Sequence, residues 1–358
     1  MMDVAIIGCG KIAESHAKAI LDLPDAKLVA TCDSEILMAK QLAERFGAKK
    51  FYNDLDMMLK EVRPDVVHVT TPPKSHFEIG RACLDAGCHV LIEKPFTVNT
   101  DEAIKLISQA KSMRLKLTVG TDEQFTPAAL EMRKLIANGW LGGGPVVLDV
   151  YYCYDLEDER YAKAFLKNRS HWLWQLPGQL IQNIIPHAVM KICEFLDGDN
   201  VKVIATGFTS KTLRNLGELE LKDELRAIIL DEKQNTAYLT FSSQIKPSLK
   251  QLRIFGPKNG LFLEHDHHAL IKIIGKNYIS YLDKFVPLNN LARQYRKNVI
   301  RNAGLLLKKQ FQMKSGLYNL IRFFYKSIEQ DISPPISYDK ILLCTKIIDL
   351  IIEEIYNK

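Results

Sequence analysis

Residues Val4 to Ile20 read Val-Ala-Ile-Ile-Gly-Cys-Gly-Lys-Ile-Ala-Glu-Ser-His-Ala-Lys-Ala-Ile, and the fold follows from this stretch. Val4 to Ile7 is a short unbroken apolar run, the pattern of a parallel strand buried on both faces. Ile12, Ala19, Ile20 and Leu23 then recur at helical spacing, so the period changes from strand to helix across Gly8-Cys9-Gly10-Lys11-Ile12-Ala13. Gly8 suits a tight turn, Gly10 leaves room for a diphosphate to approach the backbone, and Ala13 lets the helix pack closely on the strand. The first-turn amides of such a helix bind an anionic diphosphate.

The next apolar run, Leu28-Val-Ala-Thr-Cys32, ends at Asp33. A carboxylate at this place accepts hydrogen bonds from adenosine ribose hydroxyls and repels a 2′-phosphate. No Lys or Arg lies between Ser34 and Ala39 to neutralise that phosphate, so the expected cofactor is NAD rather than NADP.

Outward from this core, strand and helix alternate. Helices are predicted near 37–46, 55–62, 76–86 and 101–112, with strands at Phe51, 65–70, 89–92 and 115–119. Six strands in this rhythm predict a Rossmann doubly wound parallel sheet over residues 1–121. Ligands of such sheets lie beyond the carboxyl ends of the strands, which directs attention to Thr71, Pro72 and His76 after the fourth strand and to Glu93-Lys94-Pro95 after the fifth. From about residue 122 a helix at 127–137, a strand at 146–154, a helix from Pro177 to Leu196 and strand-like segments up to Glu264 predict an α+β domain, 122–358. Its sheet should be large, open and mostly antiparallel, because short turns join the strands. The final amphipathic helix, 338–355, could pack on either domain.

Composition narrows the class. The 358 residues are 47% hydrophobic with a net charge of +6, as suits a globular protein with ample cores. The chain enters its first strand almost at once and has no apolar run of membrane-spanning length, so a cytoplasmic location is expected. Seven cysteines form no Cys-x-x-Cys pair and read as reduced core residues. His265-Asp-His-His268 has metal-ligand residue types, but no second cluster completes a site and none is expected.

The glycine turn, Asp33, Thr71-Pro72 with His76, the run Ala86-Gly-Cys-His-Val90 into Glu93-Lys94-Pro95, and the segment from Gly178 to His187 together resemble the Gfo/Idh/MocA oxidoreductases. The resemblance covers the first domain almost throughout and the second as far as His187. It implies hydride transfer between NAD(P) and a hydroxyl or keto carbon, usually of a sugar, cyclitol or nucleotide sugar. It also implies assembly as a homodimer or homotetramer through the open sheet face. The cofactor residues it implies are Gly8, Gly10, Lys11, Ile12, Asp33, Thr71, Pro72, His76, Glu93 and Lys94, with Lys94 and His187 catalytic.

Departures from the family pattern bear on the substrate. Around the histidine, family members read Gly-Gly-x-x-x-Asp-x-Gly-x-His, whereas Gln179, Asn183 and Ile185 stand at three of those places here. A neutral amide cannot take a proton, which leaves acid/base work to His187 with Lys94 and a binding role to Asn183. On one continuous helix Asn183 and His187 would share a face. The family's arginine before Phe-x-Pro is missing from Glu123-Gln124-Phe125-Thr-Pro127, so substrate contacts there differ, with Gln124 a candidate. Trp174, in the loop before the helix, is a candidate stacking surface for a sugar or base.

The reading favours NAD-dependent oxidation or reduction of a nucleotide sugar in polysaccharide or glycan biosynthesis. A glycosidase that retains its NAD, and a catalytically silent NAD-binding regulatory or structural protein, stay open as alternatives. One stretch stands outside this account. From Lys284 to Ile328 there is no acid but ten cations: Lys284, Arg293, Arg296, Lys297, Arg301, Lys308, Lys309, Lys314, Arg322 and Lys326. Within it Leu317, Leu320, Ile321, Phe324 and Ile328 form a helical stripe, expected to pack on the second domain or at a subunit contact. The cations would then face water, the diphosphate of a nucleotide sugar or an anionic membrane. Nucleic acid is not expected, because no binding module accompanies the charge.

Overall fold

The computed structural model describes residues 1–155, 166, 168–276, 278–279, 281–307 and 315–356. The chain forms two compact units. The first comprises Met1–Asp122, Trp172–Pro177 and Gly316–Asp349; the second comprises Glu123–His171, Gly178–Ser315 and Leu350–Lys358.

The first unit holds a six-stranded, all-parallel sheet in the order β3-β2-β1-β4-β5-β6. Its strands are β1 (Met2–Ile7), β2 (Ala26–Cys32), β3 (Lys50–Tyr52), β4 (Val66–Val69), β5 (His89–Ile92) and β6 (Leu117–Val119). They alternate with α1 (Ala13–Leu21), α2 (Ile36–Phe46), α3 (Leu55–Val62), α4 (His76–Asp85) and α5 (Thr100–Ser112). Every residue of β4 is buried, as expected of a strand covered on both faces. Asp54 and Asn99 cap α3 and α5 by accepting from the amides of Met57 and Glu102. The strand order reverses between β1 and β4, which opens the crevice at their carboxyl ends.

A helix from far along the chain completes this core. Ser315–Glu329 places Leu317, Ile321, Phe324 and Tyr325 in one cluster with Val4 and Ile6 of β1, Ala17 and Ile20 of α1 and Leu42 of α2. Full burial of each large apolar side chain is worth roughly 1.5–3 kcal/mol, which fixes the helix to the sheet. The apolar stripe therefore packs on the first unit rather than on the second domain. Periodicity shows that a face is buried without showing which surface receives it.

The second unit contains α6 (Pro127–Ala137) and a seven-stranded sheet in the order β13-β12-β11-β7-β10-β9-β8. The strands are β7 (Val147–Asp155), β8 (Lys202–Phe208), β9 (Glu224–Leu230), β10 (Thr236–Ser242), β11 (Gln244–Phe255), β12 (Asn259–Glu264) and β13 (Ala269–Ile274). All neighbours are antiparallel except β7 and β10. The edge strand β13 was not evident in the sequence. It pairs with β12 through the turn at 265–268, so the histidine cluster forms a hairpin turn rather than a strand end. Among the described residues no group of three or more His, Cys, Asp or Glu is placed to hold a metal ion.

The helix expected from Pro177 to Leu196 is two helices, Gln179–Ile184 and Pro186–Cys193. Pro186 supplies no N–H to continue the first ladder, so the chain restarts there. The final helix, Tyr338–Tyr356, contributes its residues through Asp349 to the first unit and the remainder to the second.

Candidate active-site residues

In the first unit the glycine turn leaves β1 with Gly8 at φ +88°. A Cβ there would stand 2.7 Å from both the Cγ2 and the backbone N of Thr71, so only glycine allows β1 and the end of β4 to meet this closely. The same seam is held by Thr70, whose Oγ1 donates to the Gly8 carbonyl at 2.5 Å. A Cβ on Gly10 would meet nothing within 4 Å. Ile12, at the start of α1, provides no side-chain cap, and Lys11 beside it is exposed. The turn therefore presents open space against first-turn amides, which fits a bound dinucleotide diphosphate.

Asp33 follows β2 and is half-buried. Its Oδ2 accepts from the Cys9 amide at 2.6 Å and its Oδ1 from the Glu35 amide at 2.9 Å, so the carboxylate is tied to the glycine turn itself. After β4, Thr71 Oγ1 accepts from Ser75 at 2.8 Å and Pro72 is exposed. His76 has no solvent exposure; its Nδ1 lies 2.8 Å from the Pro95 carbonyl and its Nε2 2.9 Å from the Thr71 carbonyl. It thus links the two loops that follow β4 and β5. Burial lowers its pKa against the raising effect of those carbonyls.

Glu93 and Lys94 leave β5, and Lys94 is half-buried. Glu93 is buried and anchors a chain of side chains that the sequence reading missed. Its Oε1 lies 2.9 Å from His16 Nε2; His16 Nδ1 lies 2.9 Å from His68 Nδ1; and His68 Nε2 lies 2.9 Å from the Tyr325 hydroxyl. One choice of tautomers gives every donor an acceptor: Tyr325 donates to His68, His68 to His16, and His16 to the Glu93 carboxylate. Burial, then the neighbouring His16, pushes the His68 pKa well down, which keeps that ring neutral. A histidine inside the apolar run Val66-Val-His-Val69 was the one visible signal.

Trp174 is half-buried in the short turn Trp172–Gln175 of this unit, where Gln175 Oε1 accepts from Lys74 at 3.4 Å.

In the second unit His187 stands in the first turn of Pro186–Cys193. Its ring stacks on Tyr152 of β7, with centroids 6.1 Å apart and planes 12° from parallel. The Tyr152 hydroxyl donates to Glu123 Oε1 at 3.1 Å, and the other Glu123 oxygen pairs with Lys191, which is 2% exposed. The ammonium groups of Lys191 and Lys250 lie 5.4 and 5.3 Å from the Tyr152 ring centroid. Burial alone would raise the Glu123 pKa, but Lys191, His265 and His187 outweigh it and hold the carboxyl well below its ordinary range. His265 is pushed down to about 3 by burial first and Lys191 second. None of Tyr152, Glu123, Lys191 and His265 was singled out for this place. Glu123 and Lys191 look like ordinary surface charges until the fold brings them together.

Gln124 is buried; its Nε2 donates to the Met190 carbonyl at 3.1 Å and lies 3.3 Å from Glu194. Asn183 is buried near the end of Gln179–Ile184, separated from His187 by the break at Pro186. Gln179 has φ +46°, a backbone conformation natural to the glycine that the family pattern carries there.

A parallel sheet with a glycine turn at its switch point and an acid closing the second strand defines a dinucleotide-binding Rossmann domain. Residues 2–121 match the Gfo/Idh/MocA oxidoreductase family, with its NAD-binding Rossmann fold. The D-glucoside 3-dehydrogenase of Escherichia coli K12 is 36% identical over 140 residues, 39% of this chain and 40% of that protein. The UDP-N-acetylglucosamine 3-dehydrogenase of Acidithiobacillus ferrooxidans is 32% identical over 133 residues, 37% of this chain and 41% of that protein. These matches span about two fifths of the relatives' length. The structure of the A. ferrooxidans enzyme GnnA superposes with a TM-score of 0.76 at 18% identity, covering 99% of this chain and 98% of that one. The WlbA dehydrogenase of Bordetella pertussis, in complex with NADH and UDP-GlcNAcA, gives 0.77 at 16% identity, covering 99% and 96%. At such identities the likeness is one of fold.

Proposed function

We propose that the protein is an NAD-dependent oxidoreductase acting on a hydroxyl or keto carbon of a sugar, with nucleotide sugars as the favoured substrate class. The observation that carries this reading is the Gly8–Thr71 cradle with Asp33 tied to it, on the same sheet edge as Lys94. Gly8, Gly10, Lys11 and Ile12 would hold the diphosphate, Asp33 the adenosine ribose, and Thr71 and Pro72 the crevice wall; His76 and Glu93 position these loops from behind. Bound NAD would supply the hydride acceptor or donor. Relatives acting on glucosides and on UDP-N-acetylglucosamine support the substrate class.

In this reading the Lys94 ammonium stabilises the substrate oxygen as it gains alkoxide character, and His187 exchanges the hydroxyl proton. Tyr152 holds the imidazole plane, and the Glu123–Lys191 pair holds Tyr152. Asn183, Gln124 and Trp174 remain the candidate substrate contacts. Assembly as a homo-oligomer fits the outer sheet face, where Ile204, Phe208 and Tyr238 are 48%, 41% and 44% exposed.

The test is a screen of sugar nucleotides, free sugars and inositols for NADH formation by near-ultraviolet absorbance. Lys94→Met and His187→Ala should each lower turnover of the responding substrate by about 100- to 10,000-fold while NAD still binds. Wild-type turnover in either variant removes that residue from the mechanism. Product formation without net NADH would favour the NAD-retaining glycosidase instead.

A further inference from the structure

The longest helix, Leu282–Leu307, spans 26 residues and lies along β13, an edge of the second sheet. A bare edge offers unpaired backbone groups to any passing strand, and here two side-chain amides occupy them. Gln294 accepts from the Lys272 amide at 2.7 Å and donates to the Lys272 carbonyl at 3.0 Å. Asn298, one turn on, accepts from the Leu270 amide at 3.3 Å and donates to its carbonyl at 3.1 Å. Asn302 continues the row by donating to the His267 carbonyl at 2.8 Å. Spacing of four residues puts these amides on one face, so the rotation of the helix about its axis is fixed.

The flank about a quarter-turn round from the amide row is exposed, and it is apolar. Phe285, Leu288, Val299 and Leu306 recur at helical spacing and are each 66–68% exposed, with Tyr295 among them at 44%. Arg293, Arg296 and Lys297 are exposed along one flank of this stripe. Asp283 is the only acid in the helix, and none follows before Glu329. Lys308, Lys309 and Lys314 lie outside the described residues. Among the described residues no helix is long and apolar enough to cross a membrane.

We propose that this helix docks flat on an anionic phospholipid surface, its apolar stripe entering the acyl boundary and Arg293, Arg296 and Lys297 meeting the headgroup phosphates. Charge selects this occupant. Two copies packed antiparallel about the middle of the helix would bring the same three cations face to face, and the nearby Glu131 carboxylate is already engaged by Arg301. Nucleic acid would meet the cations but leave the aliphatic stripe in water. The amide clamp on β13 gives the helix a rigid base, so little ordering cost attends docking.

The experiment is co-sedimentation of the full chain with phosphatidylcholine vesicles, with and without phosphatidylglycerol, at low and high salt. Binding should require the anionic lipid and weaken with salt. Arg293→Gln, Arg296→Gln and Lys297→Gln combined should weaken it on the order of 100-fold, at about 1 kcal/mol per cation and tenfold per 1.4 kcal/mol. All seven native cysteines are buried, so Val299→Cys carries an environment-sensitive dye at one accessible thiol. Its emission should shift to the blue on anionic vesicles. Equal sedimentation with both vesicle types, no binding, or an unshifted dye overturns the proposal. So does concentration-dependent dimerisation that Val299→Ser abolishes, which would assign the face to a second copy.

Discussion

Tyr325→Phe tests the buried chain that ends at Glu93. The substitution keeps the ring, which packs against the β1 and α1 core, and removes only the hydroxyl that donates to His68 Nε2 at 2.9 Å. His68 has no solvent exposure and Tyr325 only 5%, so no bulk water replaces the lost donor. A buried acceptor left unsatisfied costs about 1–3 kcal/mol, against about 1 kcal/mol for the net worth of an ordinary hydrogen bond. The expected loss is therefore about 2 kcal/mol, read from the midpoint of equilibrium urea unfolding at neutral pH. His68→Leu separates this account from simple packing. It removes the ring that needs the donor, so adding Tyr325→Phe to it should cost less than Tyr325→Phe costs alone, a coupling of 0.5 kcal/mol or more, on the order seen for contacting residues. A Tyr325→Phe protein within about 0.5 kcal/mol of wild type, or additive losses in the double variant, would refute the idea that one directional set of hydrogen bonds runs from Tyr325 to Glu93.

Two further expectations concern buried charge. Lys191→Met strands the Glu123 carboxylate in the second unit and should destabilise by about 3–5 kcal/mol, whereas combining it with Glu123→Gln should recover much of the loss; equal stability of the two proteins in urea would remove the pair from the core's support. His68 and His265 have folded pKa values below the ordinary histidine value, His265 at about 3, so the unfolded chain binds more protons as pH falls. Their contribution is fully present above about pH 6.5 and is lost on acidification, by about 1.4 kcal/mol per pH unit for each ring. Urea midpoints that do not fall between neutral pH and pH 4.5 would contradict neutral burial of both.

Sequence alone determined what depends on near neighbours. The switch of period at Gly8 and Gly10, the acid closing the next strand and the strand–helix alternation are local patterns, and they placed the Rossmann sheet, its glycine turn and the mostly antiparallel second sheet. The break before Pro186 and the φ of Gln179 lie one step further, since their neighbours decide them. Tertiary structure alone decided which buried faces meet. The stripe at Leu317 to Phe324 declares itself apolar in sequence, yet its partners Val4, Ile6 and Ile20 lie some three hundred residues away and no periodicity names them. The same holds for Glu123 with Lys191, and for His16, His68 and Tyr325, where Tyr325 and His68 are 257 positions apart. Residue type specifies that such groups need a partner when buried; only the sum of non-local packing across the fold determines which partner arrives and in what orientation.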